Sequence, residues 1–274
     1  MAAFSASFSI ATIERSVAGF IIALAIALLA RRLRSLSTSG AVAATIVGGV
    51  AVAAGWRWGV LLIVYFVASA ALSRFGAASK RRRTAGMLAK DGPRDAMQVV
   101  ANGSVYAGCA LLAQFTSFGA AVLLSAAALG ALAAATADTW ATEIGTLSGG
   151  EPRSILSWEQ VSPGTSGGVT GAGLLAMVAG AAFIGLLGGS FGLHASVPSV
   201  LAGGIIGALA DSLLGASVQA RRWCDTCRLH TEQMVHVCGQ RSTLASGREW
   251  LDNDLVNLFC TVTGAAVAAL VASV

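Results

Sequence analysis

The sequence predicts an all-α polytopic membrane protein, with about eight transmembrane helices in a single integral membrane domain over residues 1–274. Three observations predict it. Charged residues are only 11% of the chain, against about 25% in soluble domains, too few to keep a water-facing surface dispersed. Residues of the AVILMFWYC set make up 55%, and 33 glycines are threaded through Ala, Leu, Val and Ile runs. The few charges are sorted along the chain. The same composition excludes disorder, collagen and a disulfide scaffold. In a soluble protein the net charge of +5 would suggest nucleic acid, but here the position of the charges matters more, and no nucleic-acid partner is expected.

A bilayer-spanning helix needs about 20 mainly apolar residues. Eight stretches qualify: 16–30, 40–56, 58–73, 96–115, 118–140, 166–189, 197–218 and 253–273. The first is a span rather than a signal peptide. Glu14 and Arg15 make a poor basic start, and Arg31, Arg32 and Arg34 follow with no small-residue cleavage site. Only Trp56-Arg57-Trp58 separates the second span from the third, which predicts a tight turn in the interfacial belt where tryptophans settle. Of the 18 Lys and Arg residues, all but Arg15 and Arg57 fall in the connections after spans one, three, five and seven. Cationic connections stay in the cytoplasm. The expected topology therefore has both termini outside an inner, cytoplasmic membrane and the active face towards the cytoplasm. Of the 13 acids, all but Glu14 lie in those same connections or within about three helical turns of them.

The chain also carries the outline of a 4+4 parallel repeat, with halves at 16–115 and 118–273. Thr38-Ser39-Gly40-Ala41-Val42 recurs as Thr165-Ser166-Gly167-Gly168-Val169. Ala71-Leu72-Ser73-Arg74-Phe75-Gly76-Ala77 recurs as Ala210-Asp211-Ser212-Leu213-Leu214-Gly215-Ala216. Val100-Ala101-Asn102 loosely matches Leu255-Val256-Asn257. Each match maps a span onto the one four later, the signature of repeats related by an axis along the membrane normal. Chance likeness between low-complexity helices is the alternative.

Chemistry-bearing residues cluster at the cytoplasmic ends. Asp138 closes span five, where an ionisable group costs roughly 2.5–3.5 kcal/mol to insert and so requires a metal, an arginine or a water-filled cleft. Thr142 shares its helical face and Glu143 lies further round; an interfacial ion pair is the plainer alternative. Asp211 is set deeper in span seven, where a non-catalytic ion pair is the competing reading. In Asp252-Asn253-Asp254-Leu255-Val256-Asn257, Asp252 suits a helix cap, whereas Asp254 and Asn257 share a face that points into the membrane. Three acids from three helices at one depth suit Mg²⁺, which takes one or two carboxylates together with substrate phosphates. Ser162-Pro163-Gly164-Thr165-Ser166-Gly167-Gly168 leads into span six, so Thr165, Ser166, Gly167 and Gly168 are read as an anion site at a helix N-terminus, with a flexible re-entry loop as the alternative. Lys80 and Arg81, in Ser79-Lys80-Arg81-Arg82-Arg83, either offset phosphate charge or act as a topogenic basic signal.

The connection 219–251 holds Cys224-Asp225-Thr226-Cys227, His236 and Cys238. This C-x₂-C and H-x-C arrangement has the ligand count of a Cys₃His zinc knuckle, with a redox pair or idle thiols as the alternative. Cys109 and Cys260 read as core thiols.

Four ordered segments resemble one integral membrane family, which includes transmembrane protein 19 and the phytyl-phosphate kinases of plants and cyanobacteria. They are Ala137-Asp138-Thr139-Trp140-Ala141-Thr142-Glu143-Ile144-Gly145, Pro163-Gly164-Thr165-Ser166-Gly167-Gly168-Val169, Asp211-Ser212-Leu213-Leu214-Gly215-Ala216 and Leu251-Asp252-Asn253-Asp254-Leu255-Val256-Asn257. The resemblance covers residues 36–274. The Asp138 segment is also distantly similar to that of CTP-using polyprenol and phytol kinases, with Ala137 in place of their glycine. The resemblance implies phosphorylation of a phytyl or other prenyl monophosphate to the diphosphate, with a nucleoside triphosphate donor, CTP foremost. It implies catalytic roles for Asp138, Glu143, Asp211, Asp254 and Asn257, and phosphate binding at Thr165 to Gly168. On that reading Asp138, Asp211 and Asp254 take Mg²⁺, Asn102 and Asn257 hydrogen-bond phosphates, and Lys80 and Arg81 offset the donor's charge. Membrane lipids and a second copy of the chain complete the expected partners. The competing class is a lipid or small-solute transporter or flippase with intramembrane acidic coupling residues.

Overall fold

Helices form where the apolar runs fall, and short polar caps begin them. A computed structural model describes residues 10–84, 87 and 92–274; residues 1–9 of the single domain, and Lys90 of the second basic connection, lie outside the described residues. The helices are α1 (Ile10–Arg32), α2 (Thr38–Ala54), α3 (Trp56–Arg74), α4 (Ala77–Arg83), α5 (Ala96–Leu112), α6 (Phe118–Leu147), α7 (Gly171–Ser190), α8 (Val197–Ser217) and α9 (Asn253–Ala272). Among the described residues seven helices are long and apolar enough to cross a membrane; α2 is an apolar helix of 17 residues. Side-chain oxygens accept from the first turns of several helices: Ser37 from Gly40 N at 3.1 Å, Asp95 from Gln98 N at 3.1 Å and Asp252 from Leu255 N at 3.0 Å. These are the residue types that cap helices best, and Asp252 is indeed a cap.

α6 is the axle of the bundle. Every residue from Ser125 to Ala137 is buried, as expected of a helix that is apolar all round, and α5, α7, α8 and α9 pack against it. Small residues let the backbones approach closely. A Cβ on Gly130 would stand 2.4 Å from Gly264 O, and one on Gly203 would stand 2.5 Å from the same atom. α6, α8 and α9 therefore meet almost backbone to backbone. α1 sits at the edge, resting on α2 and turning Ile21, Leu24 and Leu29 outward to lipid.

The tight turn between α2 and α3 is Gly55 alone, at φ 152°. Its two tryptophans differ from expectation. Trp56 is exposed, but Trp58 is buried, edge-on to Tyr106, whose hydroxyl donates to Trp58 O at 2.7 Å. Only Trp56 is placed as an interfacial residue would be. The two bases that escape the charge sorting both serve helix ends. Arg15 donates to Ala53 O at 2.9 Å, at the last turn of α2, and Arg57 donates to Phe191 O at 2.9 Å, just past α7. Terminal carbonyls lack intrahelical partners and carry the negative end of the helix dipole.

Two small sheets lie in the connections. β1 (Arg153–Ser154) pairs antiparallel with β2 (Gly168–Val169), Ser154 facing Gly168. β3 (Arg221–Cys224) lies between β4 (Leu229–Thr231) and β5 (Thr243–Ser246), antiparallel to both. The packing does not repeat as the motifs do. α6 packs on α7, α8 and α9, whereas α1, its counterpart, has α2 as its main neighbour.

Candidate functional site

The helix ends that carry the basic connections, together with those connections, enclose a cavity of about 850 Å³. α6 contributes Asp138 and Glu143, α8 Asp211, α9 Asp254 and Asn257, α5 Asn102, and α4 Lys80 and Arg81; the loop ahead of α7 adds Thr165, Ser166, Gly167 and Gly168. All of the sequence-predicted site residues apart from the thiol cluster thus line one chamber, although they come from five helices and a loop. Asp254 and Asn257 are buried, Asp138 and Asp211 half-buried.

Asp211 lies within electrostatic reach of Asp138 and of Glu232. Its Oδ2 is buried and accepts no hydrogen bond. A buried carboxylate oxygen without a donor is costly, and a divalent cation would relieve it. Asp138, Asp211 and Asp254 line one open, polar chamber with hard oxygen donors, the type that Mg²⁺ takes one or two of together with substrate phosphates.

Lys80 is more tightly committed than the sequence suggests. Its ammonium lies 2.5 Å from Glu143 Oε2 and donates to Leu72 O at 2.8 Å and to Ser73 O at 3.0 Å. The pair ties α4 to α6 and covers the end of α3. Lys80 and Glu143 neutralise each other at the chamber wall, and the exposed Arg81 beside them on α4 keeps its place on the lining. Asn102 donates from its amide nitrogen to Gln98 O at 2.9 Å.

The loop Thr165–Gly168 is not the helix N-terminus that the sequence predicts. α7 starts only at Gly171, capped by Thr170, which accepts from Gly173 N at 3.0 Å. Ahead of it Gly164 and Gly167 take φ of 88° and 75°, a conformation that interrupts a helix. Thr165 N donates to Ser162 O and Gly168 N to Thr165 O, folding consecutive turns. Gly167 also lies hard against α8, where a Cβ would come within 2.5 Å of Ser212 O. The result is a glycine turn clamped between α8 and the β1–β2 pair, and such turns present backbone N–H groups to anions.

Sequence reasoning missed Tyr65, Arg94, Gln219 and Glu232, which also line the chamber. Tyr65 lies beside Thr139. Glu232 accepts from Ser166 Oγ, and from Gln219 Nε2 at 2.9 Å. None of these belongs to a motif, and only their long-range contacts mark them. A narrow groove of about 100 Å³ adjoins the chamber between α1, α2, α3 and α5, sharing Tyr65, Arg94, Gln98 and Asn102 with it. The rest of its wall is apolar, with Ile22, Ile26, Leu62 and Phe66 among the lining residues.

Beside the chamber the donor atoms of Cys224, Cys227, His236 and Cys238 all lie within 4.8 Å of one another. His236 Nδ1 is 3.3 Å from Cys238 Sγ, and Cys224 Sγ is 3.5 Å from it. Hydrogen bonding from His236, then from the Gln240 backbone, lowers the Cys238 thiol to about 6. Hydrogen bonding with Cys238 pushes Cys227 up to about 11. His230 is not part of the cluster and packs edge-on against Trp223, with ring centroids 4.9 Å apart. Cys109 is half-buried and Cys260 buried, as core thiols would be.

Fold and site together define a polytopic integral membrane protein with a polar chamber at one end of its helical bundle. The chain belongs to the family of integral membrane proteins described as DUF92, which it matches over residues 21–265. It is 32% identical over 267 residues to Protein PGR of Arabidopsis thaliana, covering 89% of this chain and 91% of that protein. An uncharacterized membrane protein of Methanocaldococcus jannaschii is 31% identical over 264 residues, 95% of each chain. A second uncharacterized membrane protein, from Synechocystis, is 28% identical over 217 residues, 79% of this chain and 74% of the relative. No solved structure matches the chain.

Proposed function

We propose that the protein is a membrane-embedded kinase that converts a prenyl monophosphate to the diphosphate, using a nucleoside triphosphate and Mg²⁺. The observation that carries this reading is the chamber itself. Carboxylates from three helices, a glycine turn and a basic rim of Arg34, Arg74, Arg81 and Arg94 face one space, and an apolar groove leads off it. A phosphate headgroup on an apolar tail fits that combination. CTP is the preferred donor on the sequence resemblance to CTP-using kinases.

Phosphoryl transfer requires positioning and charge stabilisation more than covalent chemistry. Bound Mg²⁺ would supply charge neutralisation between the phosphates. Asp138, Asp211 and Asp254 would hold it. The glycine turn at Thr165–Gly168 would hold phosphate oxygens through the backbone N–H groups of Ser166 and Gly167, and the amides of Asn102 and Asn257 would orient the acceptor. Arg81 and Arg94 would offset the remaining negative charge, while the Lys80–Glu143 pair keeps α4 against α6. The acceptor oxygen of a phosphate monoester is already ionised near neutral pH, so the site needs no strong general base, in keeping with a chamber walled by carboxylates and amides. The tail would lie in the groove between α1, α2, α3 and α5. The chemistry would proceed at the cytoplasmic face, where the basic connections are expected.

The test uses the full chain purified in detergent, supplied with phytyl or geranylgeranyl phosphate, Mg²⁺ and each nucleoside triphosphate in turn. Prenyl diphosphate and nucleoside diphosphate are expected in equal amounts, most rapidly with CTP. Absence of product with every nucleotide, together with absence of nucleotide binding, contradicts the reading. Transport of a prenyl phosphate across vesicles without any phosphorylation would favour the transporter class.

A further inference from the structure

The connection between α8 and α9 contains a site of a second kind. Cys224 and Cys227 flank one turn, and His236 and Cys238 flank another. Arg228 N closes the first onto Cys224 O at 2.8 Å, and Gly239 N closes the second onto His236 O at 2.8 Å. Each turn is followed by a left-handed residue, Arg228 at φ 52° and Gly239 at φ 84°. Glycine adopts that conformation freely, but arginine does so at a cost and persists there only when its surroundings fix it. The strands around these turns are three or four residues long, and β5 is exposed along its whole length. Strands this short contribute little stability of their own. Four convergent donors, three thiols and one imidazole, fill a tetrahedral shell and leave no open position, as in structural rather than catalytic zinc sites.

We infer that Cys224, Cys227, His236 and Cys238 bind a structural Zn²⁺, and that the ion's task is to brace the glycine turn of the chamber. Both strands that meet at the first thiol turn reach Ser166. From β3, Arg221 Nη2 donates to Ser166 O at 2.7 Å and to Gly215 O at 3.2 Å. Directly after β4, Glu232 accepts from Ser166 Oγ and from Gln219 Nε2, while its own N–H donates to Met87 O at 2.9 Å. Zinc binding fixes the hairpin in which Cys224 faces Leu229. That register sets Arg221 and Glu232 on either side of Ser166, so metal binding and the shape of the turn are linked. The identity of the bound ion stands without the kinase reading. Only the phosphate-binding purpose of the turn rests on it.

The experiment uses the full chain purified without chelators. Elemental analysis is expected to find stoichiometric zinc in the wild type and none in Cys227→Ser or Cys238→Ser. Should those variants fail to fold, an organomercurial titration of the wild type, followed with a zinc indicator, must release zinc in step with thiol modification. Hydrogen exchange then tests the brace. Residues 161–170 are expected to exchange about tenfold faster once zinc is removed, the factor that corresponds to about 1.4 kcal/mol, with α6 unchanged. Glu232→Ala should speed exchange in the same segment while retaining its zinc. Wild type that lacks stoichiometric zinc overturns the site. Zinc whose removal leaves exchange at 161–170 unaltered overturns the brace. Neither readout involves nucleotide or prenyl phosphate, so a failed kinase assay and a failed zinc site remain distinguishable.

Discussion

Asp138, Asp211 and Asp254 stand on three different helices around an open chamber, while Cys224, Cys227, His236 and Cys238 close on one point from two neighbouring turns. The oxygen cluster leaves Asp211 Oδ2 with no hydrogen-bond donor. The four donor atoms of the thiol cluster would by themselves complete a tetrahedral shell. Hard oxygens around an incomplete shell suit an ion that shares its coordination with phosphates. Soft donors around a complete shell suit an ion that only holds the fold. The two regions meet at Ser166, whose Oγ donates to Glu232 and whose carbonyl accepts from Arg221.

That division of labour can be broken most severely from the oxygen side. Asp138→Asn or Asp254→Asn is expected to lower turnover roughly 10²–10³-fold, the scale of losing one electrostatic contact to a phosphoryl-transfer transition state, as measured by prenyl diphosphate formation. Zinc content should be unchanged, and parallel loss of zinc would show that the clusters are not separate. Lys80→Met comes next. Removing one partner of a buried pair costs about 3–5 kcal/mol, and the lower end applies because the Glu143 side chain keeps 21% of its exposure. Thermal unfolding in detergent should show the loss, and a melting temperature like the wild type's would remove Lys80 as the tie between α4 and α6. Gly167→Ala should cost at least about 1–3 kcal/mol in backbone strain, with the clash of its Cβ against Ser212 O added, and raise the KM for nucleotide or prenyl phosphate more than it lowers kcat. An unchanged KM would separate the turn from phosphate binding. Smallest is Arg57→Ala, at the opposite end of the bundle, worth about 0.3–1 kcal/mol as a helix-terminus charge. It should leave zinc and turnover untouched.

The parts of this molecule that depend on local pattern were readable from its sequence. Long apolar runs mark every long helix, but α1 starts at Ile10 rather than residue 16, α6 runs to Leu147 rather than 140 and α7 starts at Gly171 rather than 166; the basic connections mark the end where the chamber lies. The rest depends on contacts distant in sequence. α4 is only seven residues long and ends in four bases, so it reads as a loop, and its helical form rests on Lys80 reaching Glu143 and the end of α3. The start of α7 differs because Gly164 and Gly167 take left-handed angles and Gly167 lies against α8, a constraint visible only once Ser212 O is beside it. Glu232 has no motif at all. Its partner Ser166 is 66 residues away. The suspected repeat shows the converse, since ordered motif matches alone do not establish that two halves pack alike.

The central claim is that Asp138, Asp211 and Asp254 hold a divalent cation against phosphate. The most direct measurement uses Mn²⁺ as a paramagnetic stand-in for Mg²⁺, bound to the purified full chain and followed by electron–nuclear double resonance with prenyl phosphate present. The account predicts Mn²⁺ bound in the wild type with a phosphorus coupling from the prenyl phosphate, and its loss in Asp211→Asn while zinc is retained. Mn²⁺ that does not bind, or that binds equally well in Asp211→Asn, would contradict it.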